Sequence, residues 1–188
     1  GRLRRPLAVV SFLGGGLGAL LLLKTPSTLF EGLIPFLLLF ATLVLAFGPT
    51  VTRRLGHTGG PLSDAQPSGH VRTLLAIQFV IAIYGGYFGG GIGILMLAVL
   101  TFFGMKDFHS ANALRTLLAA SINGVAVVAF IIAGAVAWPE ALVMLVGAII
   151  GGYGGVRLFR RIPGPILRRG VIGLAAMMTV YFFWRAYH

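Results

Sequence analysis

Gly85-Gly86-Tyr87-Phe88-Gly89-Gly90-Gly91-Ile92-Gly93 lies in the middle of a run, Thr73 to Met105, that contains no Asp, Glu, Lys or Arg. As a single helix that run would be roughly 50 Å long at about 1.5 Å per residue, well beyond a hydrocarbon core of about 30 Å. Six of the nine residues are glycine, and each weakens a helix by up to about 1 kcal/mol. The pattern predicts two short helices joined by a glycine turn within a membrane. The competing reading is one long tilted helix in which Gly85, Gly89 and Gly93, spaced by four, form a packing face.

The flanking sequence supports a membrane setting. Pro6–Leu23, Gly32–Thr52, Thr116–Pro139, Ala141–Val156 and Gly170–Trp184 are also free of charged side chains. Runs of this length, counted with their interfacial flanks, span a bilayer as helices, and they lack the two-residue alternation of barrel strands. Only 10% of the chain is charged, against about 25% in soluble domains. The expected fold class is all-α: a polytopic transmembrane helix bundle. Its segments are 6–23, 29–49, 72–105, 109–135, 139–158 and 165–186. Trp138-Pro139-Glu140 has the composition of a helix start at the interface.

The net charge of +11 could suggest nucleic acid as a partner. The pairs Arg53-Arg54, Arg160-Arg161 and Arg168-Arg169 instead sit at the ends of apolar runs, where topology-setting charge belongs, so no nucleic-acid partner is expected. Six simple crossings would divide the cations outside the membrane seven against seven. If 72–105 enters and returns on one side, Lys106 and the five arginines of 157–169 change side. The division becomes twelve against two, with only Lys24 and Arg185 opposite. The positive-inside rule favours this re-entrant hairpin and places linker 50–71 and loop 157–169 in the cytoplasm.

A weak repeat relates Gly15-Gly16-Leu17-Gly18-Ala19 to Gly151-Gly152-Tyr153-Gly154-Gly155, an offset of 136 residues. Under the hairpin topology the two copies run in opposite directions, as inverted repeats do in many secondary transporters. Residues 1–49 then form the remainder of a first repeat, 50–71 a linker, and 72–188 a complete second repeat. The same offset leads to the expectation that about 60 preceding residues complete the first repeat.

The polar residues of 109–135 carry the candidate chemistry. Asn112, Thr116 and Asn123 fall near one helical stripe, with Arg115 on its flank. An ionisable residue inside a membrane helix is a functional candidate, although Arg115 could also snorkel or pair with Asp107. Asn123 could equally form an interhelical hydrogen bond. The backbone N–H groups of Gly89, Gly90, Gly91 and Gly93, at the start of a half-helix, would suit an anion. Gly147, Gly151 and Gly155 read as packing glycines.

Other chemistries find little support. The chain has no cysteine, so neither a disulfide framework nor a thiolate metal site is expected. His57 and His70 have no acidic cluster nearby. Glu31, Asp64, Asp107 and Glu140 lie near segment ends or in loops, with no catalytic pair among them. No metal, no cofactor and no enzymatic activity are expected.

The glycine segment 85–93 resembles the signature of the sulfite exporter TauE/SafE family. So do His109-Ser110-Ala111-Asn112-Ala113-Leu114-Arg115-Thr116, Asn123-Gly124 and Gly134-Ala135-Val136-Ala137-Trp138-Pro139, followed by Gly151–Gly155 and Arg160-Arg161. The resemblance covers 72–188 well and 6–50 more loosely. It implies a multi-pass transporter of the bacterial inner membrane that exports sulfite, a sulfonate or another small anion. Two departures stand out: the first copy of the glycine and Asn-containing pair is missing, and related sequences often carry Lys where this one has Arg115. The expected partners are the lipid bilayer and a small anionic substrate, and the glycine faces are compatible with a homo-oligomer. The alternative is a non-transporting membrane subunit that packs against a partner through those faces.

Overall fold

The computed structural model of the chain describes every residue except 1–3, 56–67, 104, 106, 160–163 and 188. Among the described residues every regular element is a helix: α1 Arg4–Lys24, α2 Ser27–Leu55, α3 Ser68–Tyr87, α4 Ile92–Phe102, α5 Phe108–Ile132, α6 Trp138–Phe159 and α7 Gly164–Tyr187. Arg5–Lys24, Ser27–Gly48 and His109–Ile132 are long and apolar enough to cross a membrane. α6 and α7 have 22 and 24 residues. α2 continues to Leu55 and α3 starts at Ser68, so both helices extend into the polar 50–71 segment. His57 and Asp64 lie outside the described residues.

The 72–105 run is broken where its glycines are. α3 stops at Tyr87, and Gly89 and Gly91 adopt φ of 79° and 77°. An L side chain is strained in that left-handed region, and glycine is not. α4 has 11 residues, about 16 Å of helix, too short to cross on its own. Leu74 from the start of α3 and Leu100 and Phe103 from the end of α4 share one buried cluster with Leu7 of α1 and Leu118 of α5. The two arms therefore fold back on each other, as the hairpin reading expects.

α1 packs most closely on α3. A Cβ on Gly86 would stand 2.1 Å from Gly15 O, and one on Gly18 would stand 2.1 Å from Ile83 O. Bare backbone on both sides lets the two helices approach at distances no side chain permits. Within this crossing, Gln78 Nε2 donates to Ser11 Oγ at 2.8 Å, and both residues are fully buried. α5 covers the opposite side, with Ile122 against Gly15 and Gly85. α2 lies on α4 and α7 on α2. Thr42 and Thr179 meet at 3.1 Å, and Phe36 packs edge-on against Phe183 at 5.3 Å.

α6 stands apart. Its described residues from Trp138 to Gly154 are exposed, except for half-buried Ala141. Nothing lies within 4 Å of a Cβ built on Gly147 or Gly151. The packing role read for these glycines has no counterpart among the described residues.

Candidate functional site

The site is built from the α3–α4 turn and the first half of α5. Tyr84 OH donates to Gly90 O at 2.8 Å, and the Tyr84 ring packs on Phe40 of α2 at 5.2 Å. This ties the turn to two helices. Phe88 N–H and Gly89 N–H both donate to Tyr84 O, closing α3. On the other side, Ile94 N–H and Leu95 N–H donate to Gly91 O. The N–H groups of Ile92 and Gly93 have no acceptor among the described residues, as the first turn of any helix leaves its donors unsatisfied. The helix dipole makes this end partially positive.

Arg115 reaches this end of α4. A Cβ added at Gly93 would stand 3.0 Å from Arg115 Nη1 and 3.6 Å from its Cζ. The guanidinium therefore lies against the bare backbone of α4, half-buried, which brings its full positive charge beside the partial positive charge of the helix start. That juxtaposition suits an anion, which the free N–H groups and the guanidinium can bind together.

The other candidates fall differently. Asn112 is half-buried one turn before Arg115, and Thr116 is exposed with its hydroxyl donating to Asn112 O at 2.9 Å. Asn123 is exposed, eight residues beyond Arg115. Gly89, Gly90 and Gly91 form the turn itself. Among the described residues no group of His, Asp and Glu side chains could hold a metal.

Asp107 does not pair with Arg115. It caps α5, accepting from His109 N–H at 3.2 Å and Ser110 N–H at 3.0 Å, and also from Ser110 Oγ. The Ser110 hydroxyl and N–H hold its carboxyl below the usual carboxylate range. A depressed folded pKa means the cap contributes above the unfolded value of about 3.9 and is lost as pH falls through the folded value. Asp107→Asn should therefore fray the start of α5 at neutral pH. Hydrogen exchange at residues 109–111 should be faster in the variant at pH 7 and converge with the parent protein only as pH falls through the depressed folded value of Asp107.

Sequence reasoning missed two features. One is the Ser11–Gln78 pair, whose members are 67 residues apart. Gln78 Oε1 is buried without a partner. The other is a cavity of ≈ 240 Å³ lined by Glu31, Ile34, Phe182 and Arg185 between α2 and α7.

Helices long and apolar enough to cross a membrane, packed around a glycine-broken hairpin with an arginine at the break, define a class: multi-pass membrane proteins. The family described as sulfite exporter TauE/SafE matches residues 1–182, and the chain belongs to that family. It is similar to a protein of Sinorhizobium sp named "Probable membrane transporter protein ORF9", 31% identical over 153 residues. The match takes in 81% of this chain and 55% of that relative, so the chain spans about half the relative's length. No solved structure matches.

Proposed function

We propose that the protein is a secondary transporter that exports a small oxyanion, sulfite or a sulfonate, with Arg115 and the start of α4 as its anion site. One observation carries the reading: the Arg115 guanidinium lies against Gly93 beside two N–H groups that have no acceptor among the described residues. Arg115 neutralises the charge, the N–H groups of the turn region donate to the oxyanion, and Asn112 and Thr116 border its approach along α5. Asn123 would act further along the same helix. The test is sulfite efflux from proteoliposomes carrying the protein. Flux above that of protein-free vesicles, inhibited by excess sulfonate, supports the reading; flux equal to theirs removes it.

The repeat reading also finds support at the α2–α7 seam. In that reading α2 and α7 are counterparts, and they pack on each other, with Thr42 and Thr179 in contact one position off the 136-residue offset. The membrane topology follows from the arginine count, with linker 50–71 and loop 157–169 in the cytoplasm of a bacterial cell and Lys24 outside. The chain has no cysteine of its own, so introduced ones report cleanly. A membrane-impermeant maleimide should label Lys24→Cys in intact cells, and Thr50→Cys and Arg169→Cys only after lysis. Labelling of Arg169→Cys in intact cells would remove the re-entrant topology.

A second reading, a non-transporting subunit, is favoured by the uncovered glycines of α6. It predicts no flux, together with a stoichiometric membrane partner that is lost on Gly151→Leu.

A further inference from the structure

We infer that the cavity between the start of α2 and the end of α7 binds a small zwitterion, with its ammonium on Glu31 and its acid group on Arg185. The cavity belongs to the α2–α7 seam, and none of its described lining residues comes from the hairpin or from α5. Its described lining residues sort by chemistry. Glu31 supplies a carboxylate, Arg185 a guanidinium, and Ile34 and Phe182 the apolar surface. Among the described residues no ion pair joins Glu31 to Arg185, although both open onto the same ≈ 240 Å³.

Opposite charges held apart across a cavity fit a molecule that carries the opposite charges in the reverse order. A simple anion would meet Arg185 but also the repulsion of Glu31; a simple cation would meet the converse. A short molecule with an ammonium at one end and an acid group at the other satisfies both, and its methylene spacer can lie on Ile34 and Phe182. The volume is below the range of about 300–1,000 Å³ typical of drug-sized ligands, so the ligand is of amino-acid size. The position of the cavity is fixed by packing. Phe36 and Phe183 make an edge contact at 5.3 Å next along the seam, followed by Thr42 and Thr179, so the helix ends that carry Glu31 and Arg185 are held in register. This inference does not depend on sulfite export, because it concerns binding at a different pair of helices.

The test is equilibrium binding to the protein in lipid nanodiscs, with β-alanine, propionate and propylamine as probes of matched size. β-Alanine should bind at least about tenfold more tightly than either singly charged probe, since each added charge-assisted contact is worth about a decade. Glu31→Gln should abolish that preference, weakening β-alanine while relieving the repulsion that propionate meets. Arg185→Gln should abolish β-alanine binding. The charge-swapped double variant Glu31→Arg/Arg185→Glu should restore the preference, which a purely structural loss would not allow. Equal affinities for the three probes would overturn the inference. So would β-alanine binding as tightly or more tightly in Glu31→Gln, because it would show that Glu31 only pairs with Arg185 and does not hold the ammonium.

Discussion

Arg115→Ala is expected to lower sulfite efflux about 10- to 100-fold, the value of one charge-assisted contact to an anion. The argument rests on geometry as well as charge. The guanidinium lies over Gly93, where a Cβ would come within 3.0 Å of Nη1, and the two N–H groups beside it are free to donate. Arg115→Lys keeps the charge but loses the planar fork, so it should fall between the parent protein and the alanine variant. Gly93→Val gives a second approach to the same point. It leaves the charge in place but pushes the guanidinium off the helix start, and should reduce flux while the protein stays folded. Full activity in Arg115→Ala would show that the anion binds elsewhere.

Gly86→Leu is expected to have the largest effect on stability. A Cβ at position 86 would fall 2.1 Å from Gly15 O and 2.9 Å from Gly15 Cα. Both are backbone atoms, which cannot rotate away, so the α1–α3 crossing would have to open. The cost should exceed the roughly 1–3 kcal/mol usual for overpacking, because α1 also carries Ile122 and Val125 of α5 against Gly15. Gly147→Ala is the matched control. Nothing lies within 4 Å of its Cβ, and removing an interior helix glycine should stabilise by about 0.5–1 kcal/mol. Thermal unfolding in a single detergent should lower the midpoint for Gly86→Leu and leave it level or raised for Gly147→Ala. The opposite order would mean that α1 and α3 do not cross through their glycines.

These outcomes bear on what the sequence could reveal. The break at 88–91 is legible because it is a backbone property: clustered glycines weaken a helix wherever they occur, and the run is too long for one crossing. The positions of the helices follow from the charge-free runs, although α2 and α3 run past them into the 50–71 segment. The orientation of α5 is harder to read. Asn112, Thr116 and Asn123 do share a stripe, but the buried face is the one with Ala111, Leu114, Leu118 and Ile122. In water an apolar stripe marks the protein interior; in lipid both faces are apolar, and composition alone cannot choose between them. Arg115 sits between the two stripes and turns toward α4, which only packing decides. Gly147 and Gly151 show the limit from the other side, since GxxxG spacing signals the capacity for close contact and cannot name the contacting surface. Ser11 and Gln78 carry no local signal, because each is a single polar residue whose meaning lies in the other.

The contact between Thr42 and Thr179 has a mechanical consequence. Thr42 Oγ1 lies 2.7 Å from Leu38 O, Thr179 Oγ1 lies 2.7 Å from Ala175 O, and the two hydroxyls are 3.1 Å apart. Two protons serve three acceptor contacts, so the bridge between the helices exists only when one hydroxyl releases its own carbonyl. Pulling α2 from α7 therefore costs no net hydrogen bond: each proton returns to its own helix as the gap widens. The threonine pair thus marks the register of the seam without latching it, and apolar packing such as that of Phe36 on Phe183 holds the two helices together.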